Sequence, residues 1–305
     1  MKKGLFSLTL LLFLLASCAP PTQAGSGQAV VFTDALGSEV SVSNPSRVIV
    51  SPASFVDIWQ LAGGTVMAST EDAFESALLS EEDAVSIGGV QSPNLELILA
   101  QDPDFVVLSQ TTPGHAELYE ALSGAGVNVA YFAVETFDDY LAMLKTCTDI
   151  TGQKDLYEKN GVAVRETIEG AIAQSKDFPT PTVLFIRSYS SGISVKNSDS
   201  MTGAMLKDLG CINIADKEES LLEELSMEVI IREDPDFIFV TTMGSSEEKA
   251  LKTLQEGIQK NPAWSELSAV KNGRYHVLPK ELFHLKPNAR WGESYEILAN
   301  ILYET

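Results

Sequence analysis

The chain has 305 residues, of which 42 are acidic and 21 are basic, and its formal net charge is −21 at pH 7. Binding to nucleic acid depends on basic side chains that displace counterions from phosphates, so this balance argues against a nucleic-acid partner. The length is sufficient for two domains of ordinary size.

The first residues have the order of a secretory signal: two lysines, an apolar run, then small residues. The apolar part is shorter than the ~20 residues that a helix needs to cross a bilayer. The sequence LASC at 15–18 resembles a bacterial lipobox, so we expect residues 1–17 to be removed and Cys18 to carry a lipid anchor. Residues 18–29 then form a tether. We expect the rest to lie outside the cytoplasm, bound to the membrane through the anchor alone; the alternative is an ordinary secreted protein.

A thirteen-residue unit occurs twice, as LELILAQDPDFVV (95–107) and MEVIIREDPDFIF (227–239). In each copy an Asp-Pro pair ends a short helix, because the residue before proline is driven out of the helical region and proline cannot continue it. A continuous apolar run follows, as in a strand buried on both faces of a parallel sheet. The sequence therefore predicts an α/β fold with two parallel-sheet lobes, each covered by helices.

The stretch between the two halves has a helical pattern. Thr136 and Asp139 have the spacing of a capping box, and apolar residues over 154–175 keep helical spacing. We predict one long helix that joins the lobes, with a ligand cleft between them. The predicted boundaries are an N-terminal lobe over 30–150, a connecting helix over 151–178 and a C-terminal lobe over 179–305.

Two cysteines follow the lipobox, Cys147 and Cys211, and they fall in different halves. An oxidising compartment would permit a disulfide. Their separation favours two buried free thiols.

Four further segments accompany the lipobox in a fixed order: FTDALGSEVSV (32–42), GGVQSPNLELILAQDPDFVVL (88–108), NPAWSELSAVKNGRYHVLP (261–279) and ARWGESYEILANIL (289–302). Together they resemble the iron-complex and cobalamin class of ABC-transporter substrate-binding proteins. The resemblance implies a monomer of two α/β lobes that holds a ligand between them and delivers it to a permease dimer with a cytoplasmic ATPase. It implies a transported ligand, and no cofactor.

Glu96 and Glu228 occupy the second position of the two repeated units. Asn94 and Ser226 stand where helix N-caps belong, so either glutamate would meet the positive end of a helix, which stabilises by ~0.3–1 kcal/mol. The resemblance implies a second role, in which one glutamate on each lobe forms a salt bridge with an arginine of the permease dimer. The two roles are compatible.

Candidate ligand contacts follow the predicted strands, because ligands of open parallel sheets bind beyond the carboxyl ends of strands. In the resembling family, the loop over 279–290 and the turn before Glu96 also contact ligand. The candidates are Ser54, Phe55, Gln91, Gln110, Arg187, Tyr189, Met243, Lys280, Phe283 and His284.

The ligand itself has three candidate identities. Arg187 directly follows four apolar residues, Val183 to Ile186, and suits an anionic chelate through paired hydrogen bonds, which favours a ferric siderophore; Lys286 and Arg290 could add charge. Haem would need an axial donor such as His284, but Gln91 stands where some haem-binding relatives have methionine. Cobalamin would need a cleft of similar size. A bare metal ion fits poorly because the chain has three histidines.

A lipid-anchored surface enzyme or an adhesin is the alternative from a different class. The chain has no G-x-S-x-G, HExxH or phosphate-loop motif. An adhesin would explain an anchor but not two duplicated lobes. We therefore predict a transport protein that is not an enzyme.

Overall fold

The computed structural model describes residues 29–244 and 246–303. The predicted signal peptide, the lipid-anchor position Cys18 and nearly all of the tether lie outside these ranges. Within the described ranges, none of the helices combines the length and the apolar character that a membrane span requires.

The N-terminal lobe is a five-stranded parallel sheet in the order β5-β4-β3-β6-β7, preceded by an antiparallel pair of β1 and β2. Alternate residues of β3 and β6 enter two different apolar clusters, so both faces of the sheet are buried, as predicted. The strands are β1 (Val30–Thr33), β2 (Glu39–Val42), β3 (Val48–Val50), β4 (Ala68–Ser69), β5 (Val85–Ser86), β6 (Phe105–Ser109) and β7 (Val129–Phe132). The helices are α1 (Ala53–Leu61), α2 (Glu71–Glu75), α3 (Leu95–Ala100), α4 (Pro113–Ala116), α5 (Tyr119–Gly124) and α6 (Phe137–Thr151).

The connection between the lobes is helical from Lys154 to Ser175, in the pieces α7 (Lys154–Tyr157), a π-helical turn (Glu158–Val162) and α8 (Ala163–Ser175). The π turn has a local cause. The Tyr140 hydroxyl donates to the Asn160 carbonyl at 2.7 Å, and a Cβ on Gly161 would lie 2.9 Å from Leu141. Such inserted bonds and close packing widen a helix for one turn. The capping box at Thr136 and Asp139 is confirmed.

The C-terminal lobe has the parallel strand order β10-β8-β11-β12. A fifth strand, β9, pairs antiparallel with the second half of β8. The strands are β8 (Thr182–Tyr189), β9 (Gly192–Lys196), β10 (Ile212–Asn213), β11 (Phe237–Met243) and β12 (Tyr275–Val277). The helices are α9 (Met201–Asp208), α10 (Ser220–Glu223), α11 (Met227–Glu233), α12 (Glu247–Leu254), α13 (Ser268–Lys271), α14 (Lys280–Phe283) and α15 (Trp291–Tyr303), with 3₁₀ turns at Ile214–Asp216, Pro262–Glu266 and Asn288–Arg290 and a π turn at Gln255–Gln259.

The repeated unit makes the same bonds in both lobes. Asp104 accepts hydrogen bonds from the backbone N–H and hydroxyl of Ser46, just ahead of β3, at 2.8 and 2.9 Å. Asp236 accepts the equivalent pair from Thr182, the first residue of β8, both at 2.8 Å. The second aspartate of each DPDF sequence therefore fixes the start of a central strand.

A single apolar cluster extends through both lobes. It contains Phe105 from the N-terminal sheet, Ile168 from the connecting helix, and Phe239 and Phe283 from the C-terminal lobe. Packed cores resist continuous deformation. The two lobes are therefore joined by a shared core as well as by a helix.

Candidate ligand-binding cleft

Two cavities lie between the lobes. Cavity A, of ≈ 570 Å³, lies between the end of the N-terminal sheet, the connecting helix and the C-terminal lobe. Cavity B, of ≈ 790 Å³, lies between the start of α1, helix α2 and the loop after α14. The charged and candidate residues of cavity A are Glu135, Asp138, Arg165, Glu169, Arg187, Asp199, Asp208, His284 and Lys286. Those of cavity B are Ser54, Asp57, Asp72, Glu75, Lys280, Glu281, His284, Lys286 and Arg290.

The segment 284–290, which we name the crossing loop, separates the two cavities. His284 and Lys286 line both of them. The loop leaves the C-terminal lobe after Phe283, whose carbonyl accepts the Thr202 hydroxyl at 2.5 Å, and re-enters it at the buried Trp291. The cleft is thus divided by a loop that is anchored at both ends in the core of the C-terminal lobe.

Positive side chains surround His284 in the cleft. Burial, together with the smaller effect of the charges of Arg187, Lys280 and Lys286, lowers the pKa of His284 to about 4. The imidazole is therefore neutral at pH 7. Burial also lowers the pKa of Arg187 and of Lys286. The three cations near His284 are Arg187 in β8, Lys280 in α14 and Lys286 in the crossing loop. They lie together in the cleft of a strongly acidic chain.

Two nitrogen atoms in this cluster have no hydrogen-bond partner among the described residues. They are Nε of Arg187 and Nδ1 of His284, and both are buried. Lys196 lies close to Arg187 across the β8–β9 pair, since the Arg187 charge contributes to lowering the pKa of Lys196 after the effect of burial. Acidic side chains outnumber basic ones in the lining of each cavity, but the local group of Arg187, Lys280 and Lys286 around His284 is positive. This local group suits an anion with several oxygen atoms.

Four candidates from the sequence line the cavities: Ser54 and Lys280 in cavity B, Arg187 in cavity A, and His284 in both. Four others do not line either cavity. Gln91 and Gln110 are exposed in N-terminal loops, Tyr189 is half-buried at the end of β8, and Met243 is exposed at the end of β11. Ligand contact by any of these residues stays a prediction.

Phe55 and Phe283 are corrections to the sequence-based list. Phe55 is 1 % exposed and packs edge-on against Phe132, and Phe283 is fully buried in the shared core. Both follow or flank a strand end, but both lie in short helices whose apolar side turns inward. Burial of a large aromatic ring stabilises the core, so these rings are withdrawn from the cleft.

Sequence reasoning missed the role of Asn288. Its side-chain amide donates to the Ser54 carbonyl and to the Asp57 carboxylate, both at 2.8 Å, and thereby joins the crossing loop to the N-terminal lobe. The Lys196 position was also missed, although the alternating GISVK pattern could have indicated a strand. No local pattern points to Asn288, because its partners are more than 230 positions away.

A buried histidine holds the loop that precedes α3. His115 is fully buried; its Nδ1 accepts the Ser109 N–H at 3.0 Å, so Nε2 carries the proton and donates to the Val90 carbonyl at 2.8 Å. Burial lowers the pKa of His115. This side chain therefore acts within the fold, and it positions the turn that carries Gln91.

Glu96 and Glu228 are exposed in the first turns of α3 and α11. The side chains of Asn94 and Ser226 cap these helices, each accepting the backbone N–H three residues on, at 3.1 and 3.4 Å. The capping half of the sequence interpretation is confirmed. The permease-docking half stays a prediction.

Cys147 and Cys211 are free and buried, as predicted. Burial raises the pKa of both thiols, that of Cys211 to about 12. Among residues 29–244 and 246–303, no three histidine, cysteine or acidic side chains converge on a point that could hold a metal ion.

Comparison with known proteins decides the family. The family model described as "Periplasmic binding protein" matches residues 48–282. The chain belongs to this family. The Fe(3+)-citrate-binding protein YfmC of Bacillus subtilis is 25% identical over 285 residues, covering 90% of this chain and 88% of YfmC. The putative ABC transporter substrate-binding lipoprotein YhfQ of the same organism is 25% identical over 298 residues, covering 91% of each chain.

A solved structure of the siderophore-binding protein BauB, bound to a complex between two molecules of acinetobactin and ferric iron, has the same fold. Its TM-score is 0.73 at 17% identity, with 90% of this chain and 98% of BauB covered. The fold prediction is thus confirmed for this periplasmic binding protein: two α/β lobes with helices and a cleft between them. The boundaries at 150 and 178 stay predictions.

Proposed function

We propose that this periplasmic binding protein captures an anionic ferric chelate between its lobes and delivers it to the permease of an ABC importer. The observation that carries the proposal is the set of three cations around His284 in the cleft of a chain whose net charge is −21. Carboxylate oxygens are the partners that guanidinium and ammonium groups bind best.

The relatives support the same ligand class. One is an Fe(3+)-citrate-binding protein and another a putative substrate-binding lipoprotein. A ferric chelate with free carboxylate oxygens would satisfy Arg187 and neutralise Lys280 and Lys286. Haem or a corrinoid would need apolar walls for its macrocycle, and the candidates Phe55 and Phe283 are buried and line neither cavity.

The first experiment is a titration of the purified protein with ferric citrate, followed by tryptophan fluorescence; Trp291 lines cavity A. Arg187→Gln should weaken binding about 10- to 100-fold, because a hydrogen bond to a charged group contributes ~1.5–3 kcal/mol. Lys252→Gln, the same change of charge on the exposed face of α12, is the matched control and should leave the affinity unchanged.

Other outcomes of this titration are equally specific. Saturable binding of a ferric catecholate or hydroxamate, with no binding of ferric citrate, would mean that the ligand is a siderophore of that type and not a ferric carboxylate. A Soret band with haemin that is lost in His284→Ala would replace both by haem. Absence of binding to every ferric chelate and to haemin and cobalamin would refute an iron-complex or corrinoid ligand.

The location and partners belong to the same proposal. Cys18 would carry a lipid anchor on the outer side of the cell membrane, and Glu96 and Glu228 would each contact one subunit of a permease dimer. Exposed apolar side chains accompany both glutamates, namely Leu97 and Leu99 on α3 and Ile231 on α11.

The docking role has a test that is separate from ligand binding. Glu96→Arg or Glu228→Arg should abolish uptake of radiolabelled iron by cells while leaving the affinity for ferric citrate unchanged. Glu120→Arg, an equal change of charge at an exposed position of α5, is the control. Normal uptake with both glutamates reversed would refute the docking role.

A further inference from the structure

The side chain of Asn288 forms hydrogen bonds from the crossing loop to the N-terminal lobe. Asn288 is 1 % exposed, and its Nδ2 donates both of its hydrogens, one to the Ser54 carbonyl and one to the Asp57 carboxylate, each at 2.8 Å. The accepting groups lie in the first turns of α1. These bonds directly join the two lobes at the wall of cavity B.

The conformation of Asn288 favours this bond. Its φ is 49°, in the left-handed region, which asparagine adopts more readily than most residues. Asn288 is flanked by the buried Pro287 and, three positions on, by the buried Trp291. A backbone in this region persists where the surroundings over-determine it, and here the amide bonds across the cleft are part of those surroundings.

The position of the crossing loop decides the shape of the cleft. His284 and Lys286 line both cavities, so the loop is the wall between them. With the loop fixed to α1, each cavity admits a compact ligand. If the loop moved away from α1, cavities A and B would merge into one larger space, and the cations would lose their common position.

We propose that Asn288 is a positioning residue that fixes the crossing loop against α1 and so restricts the cleft to compact ferric chelates. This inference rests on the proposed function for its ligand class, but its mechanical part does not. A buried hydrogen bond to a charged group is among the stronger polar interactions in proteins, and removing the donor leaves the Asp57 carboxylate half-satisfied.

The test compares Asn288→Gly with Asn213→Gly. Glycine tolerates the left-handed backbone and removes the donor. Asn213 is also 1 % exposed, and its amide donates to the Lys196 carbonyl at 2.8 Å within the C-terminal lobe. Each variant thus loses one buried amide, but only Asn288→Gly loses a bond between lobes.

Two quantities are measured on the purified proteins: the amide hydrogen exchange of the crossing loop without ligand, by mass spectrometry, and the ratio of affinities for ferric citrate and the larger ferrioxamine B. Asn288→Gly should speed exchange in the loop and lower the citrate-to-ferrioxamine ratio by about tenfold, the effect of one charged hydrogen bond. Asn213→Gly should lower the melting temperature and change neither quantity.

A reciprocal exchange provides rescue. Asn288→Asp alone places two carboxylates against each other and should disrupt the contact, whereas Asn288→Asp combined with Asp57→Asn restores a donor and an acceptor and should recover part of the ratio. Unchanged loop exchange and ratio in Asn288→Gly, or no recovery in the double variant, would overturn the inference. If the wild-type protein bound no ferric chelate, the proposed function would fail, and the hydrogen exchange of the loop alone would decide whether Asn288 fixes the loop against α1.

Discussion

Phe283 and His284 are neighbours with different roles: the Phe283 ring packs in the core, and the His284 imidazole lines the cleft. Substituting each residue in turn therefore tests the core and the cleft separately. Phe283→Leu removes part of a ring that is fully buried in the core shared by both lobes. We expect the free energy of unfolding to fall by about 1–2 kcal/mol, since near-volume swaps cost less than truncation to alanine. At about 2.1 cal/mol/K of unfolding entropy per residue, that change lowers the melting temperature of a chain of this size by roughly 2–4 °C. The affinity for ferric citrate should stay within twofold of wild type.

His284→Gln should show the reverse. The His284 Nδ1 has no partner among the described residues, so the substitution removes no hydrogen bond at that atom, and the melting temperature should stay close to wild type. The affinity for ferric citrate should fall at least fivefold, because the imidazole lines both cavities. Thermal unfolding and fluorescence titration of the two variants measure both effects. Weaker binding by Phe283→Leu with unchanged melting would refute the assignment of Phe283 to the core.

Three further predictions concern stability and packing. Burial lowers the pKa of His115, so the stability that its neutral form contributes is present above the unfolded pKa of 6.5 and is lost as pH falls towards the folded pKa, with a slope of up to about 1.4 kcal/mol per pH unit. In His115→Gln, the urea midpoint of unfolding should therefore change less with pH over this range than in the wild-type protein. An equal pH dependence in the two proteins would contradict this account. Gly114→Ala should destabilise the protein by more than about 2 kcal/mol, because its Cβ would lie 2.0 Å from the Gln91 carbonyl oxygen, and a chemical denaturation midpoint equal to wild type would exclude that clash. Cys147 and Cys211 should not react with a thiol reagent in native buffer and should both react in urea, since both are buried with raised pKa values; rapid native labelling would show that one is accessible.

Much of the architecture follows from local sequence. The DPDF units end helices and begin strands through interactions within a few residues and through one aspartate that binds the lobe's first central strand. The capping box at Thr136 and the apolar spacing over 154–175 likewise need only near neighbours. These features were therefore predictable without knowing what lies across the molecule.

The cleft was predictable only in part. Arg187 and His284 were found because strand ends and the last loop face the space between lobes. Phe55 and Phe283 were misassigned because a strand end does not reveal which way the next helix turns its apolar side. Lys196 was hidden by an unpredicted strand, and Asn288 binds residues in another lobe. Contacts of that range leave no local pattern.

The overall charge and the local charge of this protein act against each other. A net charge of −21 repels an anionic chelate at long range, where screening is strong, since the Debye length is about 8 Å at physiological ionic strength. Within the cleft, Arg187, Lys280 and Lys286 lie close together in a partly buried site where screening is weak. Under the proposed function, repulsion would slow the approach of the chelate, while attraction would govern how long a bound chelate stays. A protein that must hold its ligand until it meets a permease gains from this division, because retention depends on the cleft alone.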